Sequence, residues 1–151
     1  MKKKKAMSRS ENMARIKGKD TKPEVYLRKL LWHKGYRYRC NYRDLKGKPD
    51  IYIKKYNTAI FVNGCFWHMH KGCSNSNIPK SNREFWLKKL NRNVERDYEN
   101  YQALEKFGIK TVVVWECTLK KMKKDNDFEK EICDRVISVL LDNNSKLFVE
   151  I

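Results

Sequence analysis

The stretch Pro49-Asp50-Ile51-Tyr52-Ile53, Lys54-Lys55-Tyr56-Asn57, Thr58-Ala59-Ile60-Phe61-Val62 runs directly into Asn63-Gly64-Cys65-Phe66-Trp67-His68-Met69-His70-Lys71-Gly72-Cys73. Two short runs rich in β-branched and aromatic residues, separated by a polar turn, predict a hairpin that Asp50 opens. The second run is apolar almost throughout, as in a strand buried on both faces. It delivers the chain into a glycine-flanked loop that holds two cysteines, two of the three histidines and an aromatic pair.

Cys65, His70 and Cys73 place three nitrogen or sulfur donors within nine residues. This set suits zinc, which binds thiolate and imidazole in tetrahedral sites. The loop is polar and too short to bury much apolar surface, so a metal has a physical role in fixing its shape. Cys117 ends another buried strand and is available as a fourth ligand, although the spacing alone does not select it. Four protein ligands would make the site closed and structural. His68 would then be free to act as a base held rigidly by the loop; the alternatives are that it is itself a metal ligand or an inert surface histidine.

Outward from this segment, Ser10 to Ile16 predicts a short helix that is a mobile N-terminal element rather than core. Thr21-Lys22-Pro23-Glu24 reads as a capping box opening a helix with Leu27, Leu30 and Leu31 on its buried stripe and Gly35 as its stop. In that reading Glu24 is a capping residue. Tyr36 to Cys40 alternates at the strand period. Ser81-Asn82-Arg83-Glu84 reads as a second capping box, opening a helix to about Phe107 with Gly108 beyond it. Lys110 to Trp115 is a buried strand, Phe128 to Leu141 a last helix, and Leu147 to Val149 a short strand. The expected fold class is α/β, with a central mixed sheet flanked by helices and a structural zinc site. Residues 8–151 form one domain, preceded by a basic, disordered arm at 1–7.

The 151 residues carry 35 Lys+Arg against 18 Asp+Glu, a net charge of +17. Such an excess favours a polyanionic partner, because each phosphate contact releases condensed counterions. No apolar run approaches the ~20 residues that cross a bilayer, and no signal region follows the basic start, so a cytoplasmic, nucleoid-associated protein is expected. Five cysteines, an odd number, among histidines fit a metal site in a reducing compartment better than a disulfide framework.

Several blocks occur in order over residues 8–119: Ser10-x-Asn12-Met13, Lys48-Pro49-Asp50, Gly64-Cys65-Phe66-Trp67-His68-x-His70, Glu84-Phe85-Trp86-x-x-Lys89, Asn93-Val94-Glu95-Arg96-Asp97 and Val114-Trp115-Glu116-Cys117. Together they resemble the very short patch repair (Vsr) endonuclease family. The resemblance implies a zinc-containing variant of the restriction-endonuclease-like fold. It implies a Mg2+-dependent enzyme that nicks one DNA strand 5′ of the thymine in a T:G mismatch. It further implies Asp50 and the backbone carbonyl of Val62 as Mg2+ ligands, His68 as the residue that activates water, and Glu24 as an assisting acid. Cys65, His70, Cys73 and Cys117 match the zinc ligands, with one residue more before Cys73 than the better-known pattern. Phe66, Trp67 and Trp86 match aromatics that wedge into the DNA stack, and Met13 a residue that enters from the minor groove.

Two departures carry chemistry. No acid or lysine occupies the second strand of the hairpin, so Asp50 lacks the carboxylate partner usual in restriction-endonuclease-like sites; a carbonyl ligand has no side-chain signature. Asn63 stands where the family pattern has histidine, and an amide cannot donate a catalytic proton near neutral pH. The implied partners are double-stranded DNA with a T:G mismatch, a cytosine-5 DNA methyltransferase system and mismatch-repair factors, with the protein acting as a monomer. The competing expectations are a zinc-stabilised mismatch-binding module without cleavage, and a nuclease of the same fold with another DNA target.

Overall fold

A computed structural model describes residues 6–144 and 146–151. The lysine run of the N-terminal arm lies outside the described residues. The elements in chain order are α1 (Arg9–Ala14), α2 (Lys22–His33), β1 (Arg39–Cys40), β2 (Ile51–Ile53), β3 (Thr58–Asn63), α3 (Arg83–Lys106), β4 (Lys110–Trp115), α4 (Glu116–Met122), α5 (Asn126–Leu141) and β5 (Phe148–Glu150).

The five strands form one mixed sheet in the order β1-β2-β3-β4-β5. The first three are mutually antiparallel, while β3/β4 and β4/β5 are parallel. All six residues of β3 and all six of β4 are buried. Their side chains alternate between two apolar layers, as the pleat requires. Ile60, Val62, Val112 and Val114 pack with Leu27 and Leu31 of α2, Leu119 of α4 and Val136 of α5. Ala59, Phe61, Val113 and Trp115 pack with Leu104 of α3 on the opposite face. The buried lysine that enters β4 is satisfied by α5: Lys110 Nζ donates to the backbone carbonyls of Val139 and Asp142 at that helix's C-terminal end.

Several local expectations are corrected. Neither predicted capping box forms. Thr21 is the N-cap of α2 but makes no side-chain cap bond; its hydroxyl instead donates to Glu24 Oε1 at 3.1 Å. Asn82, in the left-handed region at φ 54°, is the N-cap of α3 without a side-chain bond. The capping box belongs to α1, where Ser8 and Glu11 satisfy each other's backbone N–H. The short N-terminal helix is docked rather than mobile: Ser10 is buried, and its Oγ accepts from Trp86 Nε1 at 2.8 Å. The strand expected from Tyr36 shrinks to Arg39–Cys40, because only these residues pair with β2. Helix α4 was not anticipated, since Glu116-Cys117 read as the end of a strand.

Candidate active site and metal centre

Asp50 and Glu24 reach the site from opposite directions. Asp50 precedes β2, and its Oδ2 accepts from the Val62 N–H at 2.7 Å, which fixes the carboxylate against the end of β3. Glu24 sits in the first turn of α2 and is 3 % exposed. Its Oε2 lies 3.5 Å from Arg28 Nη2 but has no hydrogen-bond partner. Burial, followed by the charge of Glu24, pushes the Asp50 carboxyl up from the usual carboxylate range to about 7. A buried acid held that high beside a second carboxylate with an unpartnered oxygen is a donor set that fits a cation. Oxygen donors of this kind suit a hard divalent ion such as Mg2+.

Arg28 was not singled out from the sequence, yet it organises this corner. Its Nη2 donates to the Asp50 carbonyl at 3.0 Å and to Asn41 Oδ1 at 3.3 Å, and its Nη1 donates to Asp20 Oδ1 at 2.7 Å. It lies one helical turn after Glu24, so both side chains share a face of α2. That i,i+4 spacing was the available signal.

His68 lies in the tight loop after β3, where its N–H bonds back to the Gly64 carbonyl at 3.1 Å. Its Nδ1 donates to Asp97 Oδ2 on α3. With that proton committed, the neutral ring carries its lone pair on Nε2. Asn93, one turn before Asp97, donates to the Trp67 carbonyl at 3.1 Å and holds the same loop. Asn63 points to the α3 side, where its Nδ2 donates to the Tyr101 hydroxyl at 2.9 Å. It is 4 % exposed, and its amide is held one turn along α3 from Asp97, the partner of His68.

Cys65, His70, Cys73 and Cys117 bring one donor atom each to within 4.8 Å of the others. His70 Nδ1 lies 3.5 Å from both Cys65 Sγ and Cys117 Sγ, so this nitrogen faces the cluster. Burial, with the neighbouring thiols adding to it, pushes the Cys65 thiol up to about 12. Ionising several thiols together therefore requires a cation among them, and three sulfurs with one imidazole fit a four-coordinate soft ion. The loop is shaped for this: Met69 takes φ 48°, Gly72 takes φ 72°, and Ser76 Oγ donates to the carbonyls of both His70 and Cys73. The His70 ring stacks on Trp115, with centroids 4.0 Å apart and planes 2° from parallel.

Phe66, Trp67 and Trp86 form one edge-to-face cluster, with Met13 and Leu90 packed against it. Phe66 is 4 % and Trp86 1 % exposed, while Trp67 is half-buried with Lys89 Nζ 5.4 Å from its ring centroid. A groove of about 1010 Å³ runs between this cluster and the start of α2, lined among others by Met13, Glu24, Val62, Trp67 and His68. Lys17, Lys22, Arg96, Lys120 and Lys123 stand along it. The structure thus gathers Glu24, Val62, His68, Phe66, Trp67 and Met13 on one groove, with Asp50 behind Val62. Trp86 and Asn63 lie in the packing beneath.

A family model described as DNA mismatch endonuclease Vsr matches residues 1–75. The type II nicking enzyme V.NmeAIP of Neisseria meningitidis is 48% identical over 132 residues, covering 85% of this chain and 94% of the relative. The DNA mismatch endonuclease Vsr of Escherichia coli is 37% identical over 141 residues, covering 89% and 90%. The chain belongs to the Vsr family. As a Vsr-family chain it is a DNA endonuclease. The type II nicking enzyme V.XorIIP of Xanthomonas oryzae is 40% identical over 110 residues, covering 73% of the chain and 80% of its own length.

Proposed function

We propose that this Vsr-family endonuclease nicks one strand of duplex DNA on the 5′ side of the thymine in a T:G mismatch, on a restriction-endonuclease-like scaffold. The observation that carries this reading is a single groove lined by Glu24, Val62 and His68 beside aromatic side chains, with Asp50 bonded behind Val62 and Asp97 bonded to His68. Asp50 and the Val62 carbonyl would hold Mg2+, with Glu24 completing the acidic corner. When bound, the ion supplies charge stabilisation at the phosphorus centre and at the departing oxygen.

His68 takes the proton from the attacking water at Nε2, while Asp97 holds the ring orientation and stabilises the imidazolium that forms. Asn63 positions by hydrogen bonding and moves no proton. Cys65, His70, Cys73 and Cys117 hold zinc, which keeps the loop bearing His68 rigid. Trp67 and Met13, packed on one aromatic cluster, meet the duplex from the groove surface, and Phe66 and Trp86 back that contact. A mismatched step is the easiest to open, so a wedge of this kind favours it.

The test is a nicking assay on labelled T:G and fully paired duplexes, with and without Mg2+, on wild type, Asp50→Ala and His68→Ala. Mg2+-dependent nicking confined to the mismatch and abolished in both variants is expected. Equal cutting of paired duplex would replace mismatch specificity with another DNA target. Salt-sensitive binding without product would leave a recognition module.

A further inference from the structure

Helix α1 has six residues, too few to persist by its own hydrogen bonds. It is held by contacts to elsewhere in the chain. Besides the Ser10–Trp86 bond, three hydrogen bonds come from Arg9, whose Nε donates to the Asn77 carbonyl at 3.2 Å and whose Nη2 donates to the carbonyls of Asn77 at 3.0 Å and Asn75 at 3.2 Å. Its guanidinium carbon also lies 5.6 Å from the Phe66 ring centroid. All these partners belong to the segment that begins at Cys65 and continues past Cys73, which is the segment the cysteine and histidine donors shape. Met13 on the same short helix and Ile16 just beyond it line the groove together with Gly64 and His68.

We propose that Arg9 is a positioning residue that builds the α1 wall of the DNA groove on the metal-shaped loop, so that filling the cysteine–histidine site also sets the groove's width. Arg9 suits this because a planar fork bridges two carbonyls at once, which a lysine ammonium on a flexible stem cannot do as well. The role rests on the proposed DNA reaction only for its kinetic consequence; its structural half stands on the DNA-free protein.

Hydrogen–deuterium exchange on the full DNA-free chain tests that half. The reporters are the amides of Asn12, Arg15 and Ile16, which bond within α1 and the turn that ends it, to Ser8, Asn12 and Met13 respectively. Arg9→Ala is expected to speed their exchange by about tenfold or more, with Arg9→Lys between it and wild type. The β3 and β4 amides in the same sample report an intact core, and Arg9→Lys decides the matter if Arg9→Ala loses them. Chelating the metal is expected to free α1 together with residues 65–77, and adding Zn2+ to restore both.

In nicking kinetics Arg9→Ala is expected to raise KM about fivefold to tenfold with kcat held within about twofold. A phosphate-binding role for Arg9 would move KM without moving exchange in the DNA-free protein. Unchanged α1 exchange in Arg9→Ala, or α1 still protected after the loop has opened on chelation, overturns the proposal. If wild type fails to nick any T:G duplex, the functional reading falls while the exchange result still decides the anchoring.

Discussion

With Asp97 accepting from Nδ1, His68 has one nitrogen left for chemistry, and the two residues act as a unit. His68→Ala is expected to lower single-turnover nicking by about 10²–10⁴-fold with metal content unchanged. Asp97→Asn is expected to lower it as well, because an amide offers Nδ1 no charged acceptor to fix the tautomer. A wild-type rate in either variant would remove the pair from the mechanism. Asp50 provides a pH signature. Its folded carboxyl is raised to about 7 by burial and by Glu24, so in Mg2+-free buffer folding favours its protonated form. That stability is complete below the ordinary carboxylate pKa and is lost as pH rises toward 7, amounting to a few kcal/mol. Thermal midpoints from pH 4 to 8 are expected to fall in wild type and to lose most of that slope in Asp50→Asn. The sequence made Asp50 and His68 visible through the hairpin and the crowded loop. It left Asp97 without a role, because its partner lies 29 residues away and such a contact leaves no local pattern, and of Arg28 it offered only the i,i+4 spacing from Glu24.

At the scale of elements, the loop from Cys65 to Ser76 is the part whose shape depends least on apolar packing, so metal removal is expected to act there first. Cys65→Ser or chelation should lower the thermal midpoint and open residues 65–77 to proteolysis while far-UV circular dichroism changes little. A loop that stays protected without metal would make the cluster dispensable. Trp86 belongs to packing as much as to any DNA contact. At 1 % exposure, bonded to Ser10 and stacked edge-to-face on Phe66 and Trp67, its replacement by alanine should cost about 3–5 kcal/mol in denaturant unfolding. A loss under 1 kcal/mol, roughly the range of a surface substitution, would return it to a purely DNA-facing role. Helix and strand positions were legible from apolar spacing and from Gly35 and Gly108, which take φ 90° and 68° just past their helices. The caps were misread because a Thr hydroxyl at Thr21 found a buried carboxylate more rewarding than a backbone N–H.

For the whole molecule, part of the excess of positive charge stands where it can act, with Lys17, Lys22, Arg96, Lys120 and Lys123 on the groove that holds His68. Binding to a T:G duplex is expected to fall linearly with the logarithm of salt, with a slope of about −0.9 per phosphate neutralised. Removing one of these lysines should reduce the slope by about one without changing the mismatch preference. The α/β class was readable from composition and periodicity. The pairing order was not: placing β4 between β3 and β5, parallel to both, depends on how α3 and α5 cover the two faces, and nothing local in Lys110 to Trp115 encodes its neighbours. The coplanar stack of His70 on Trp115 also gives the molecule an optical property. An indole 4.0 Å from a metal-facing imidazole must change its emission when that imidazole is charged, neutral or coordinated. Of the four tryptophans, Trp115 is the one in face-to-face contact with a donor of the cysteine–histidine cluster. Its fluorescence, obtained as the difference between wild type and a Trp115→Phe control, would follow metal loading in real time without a label.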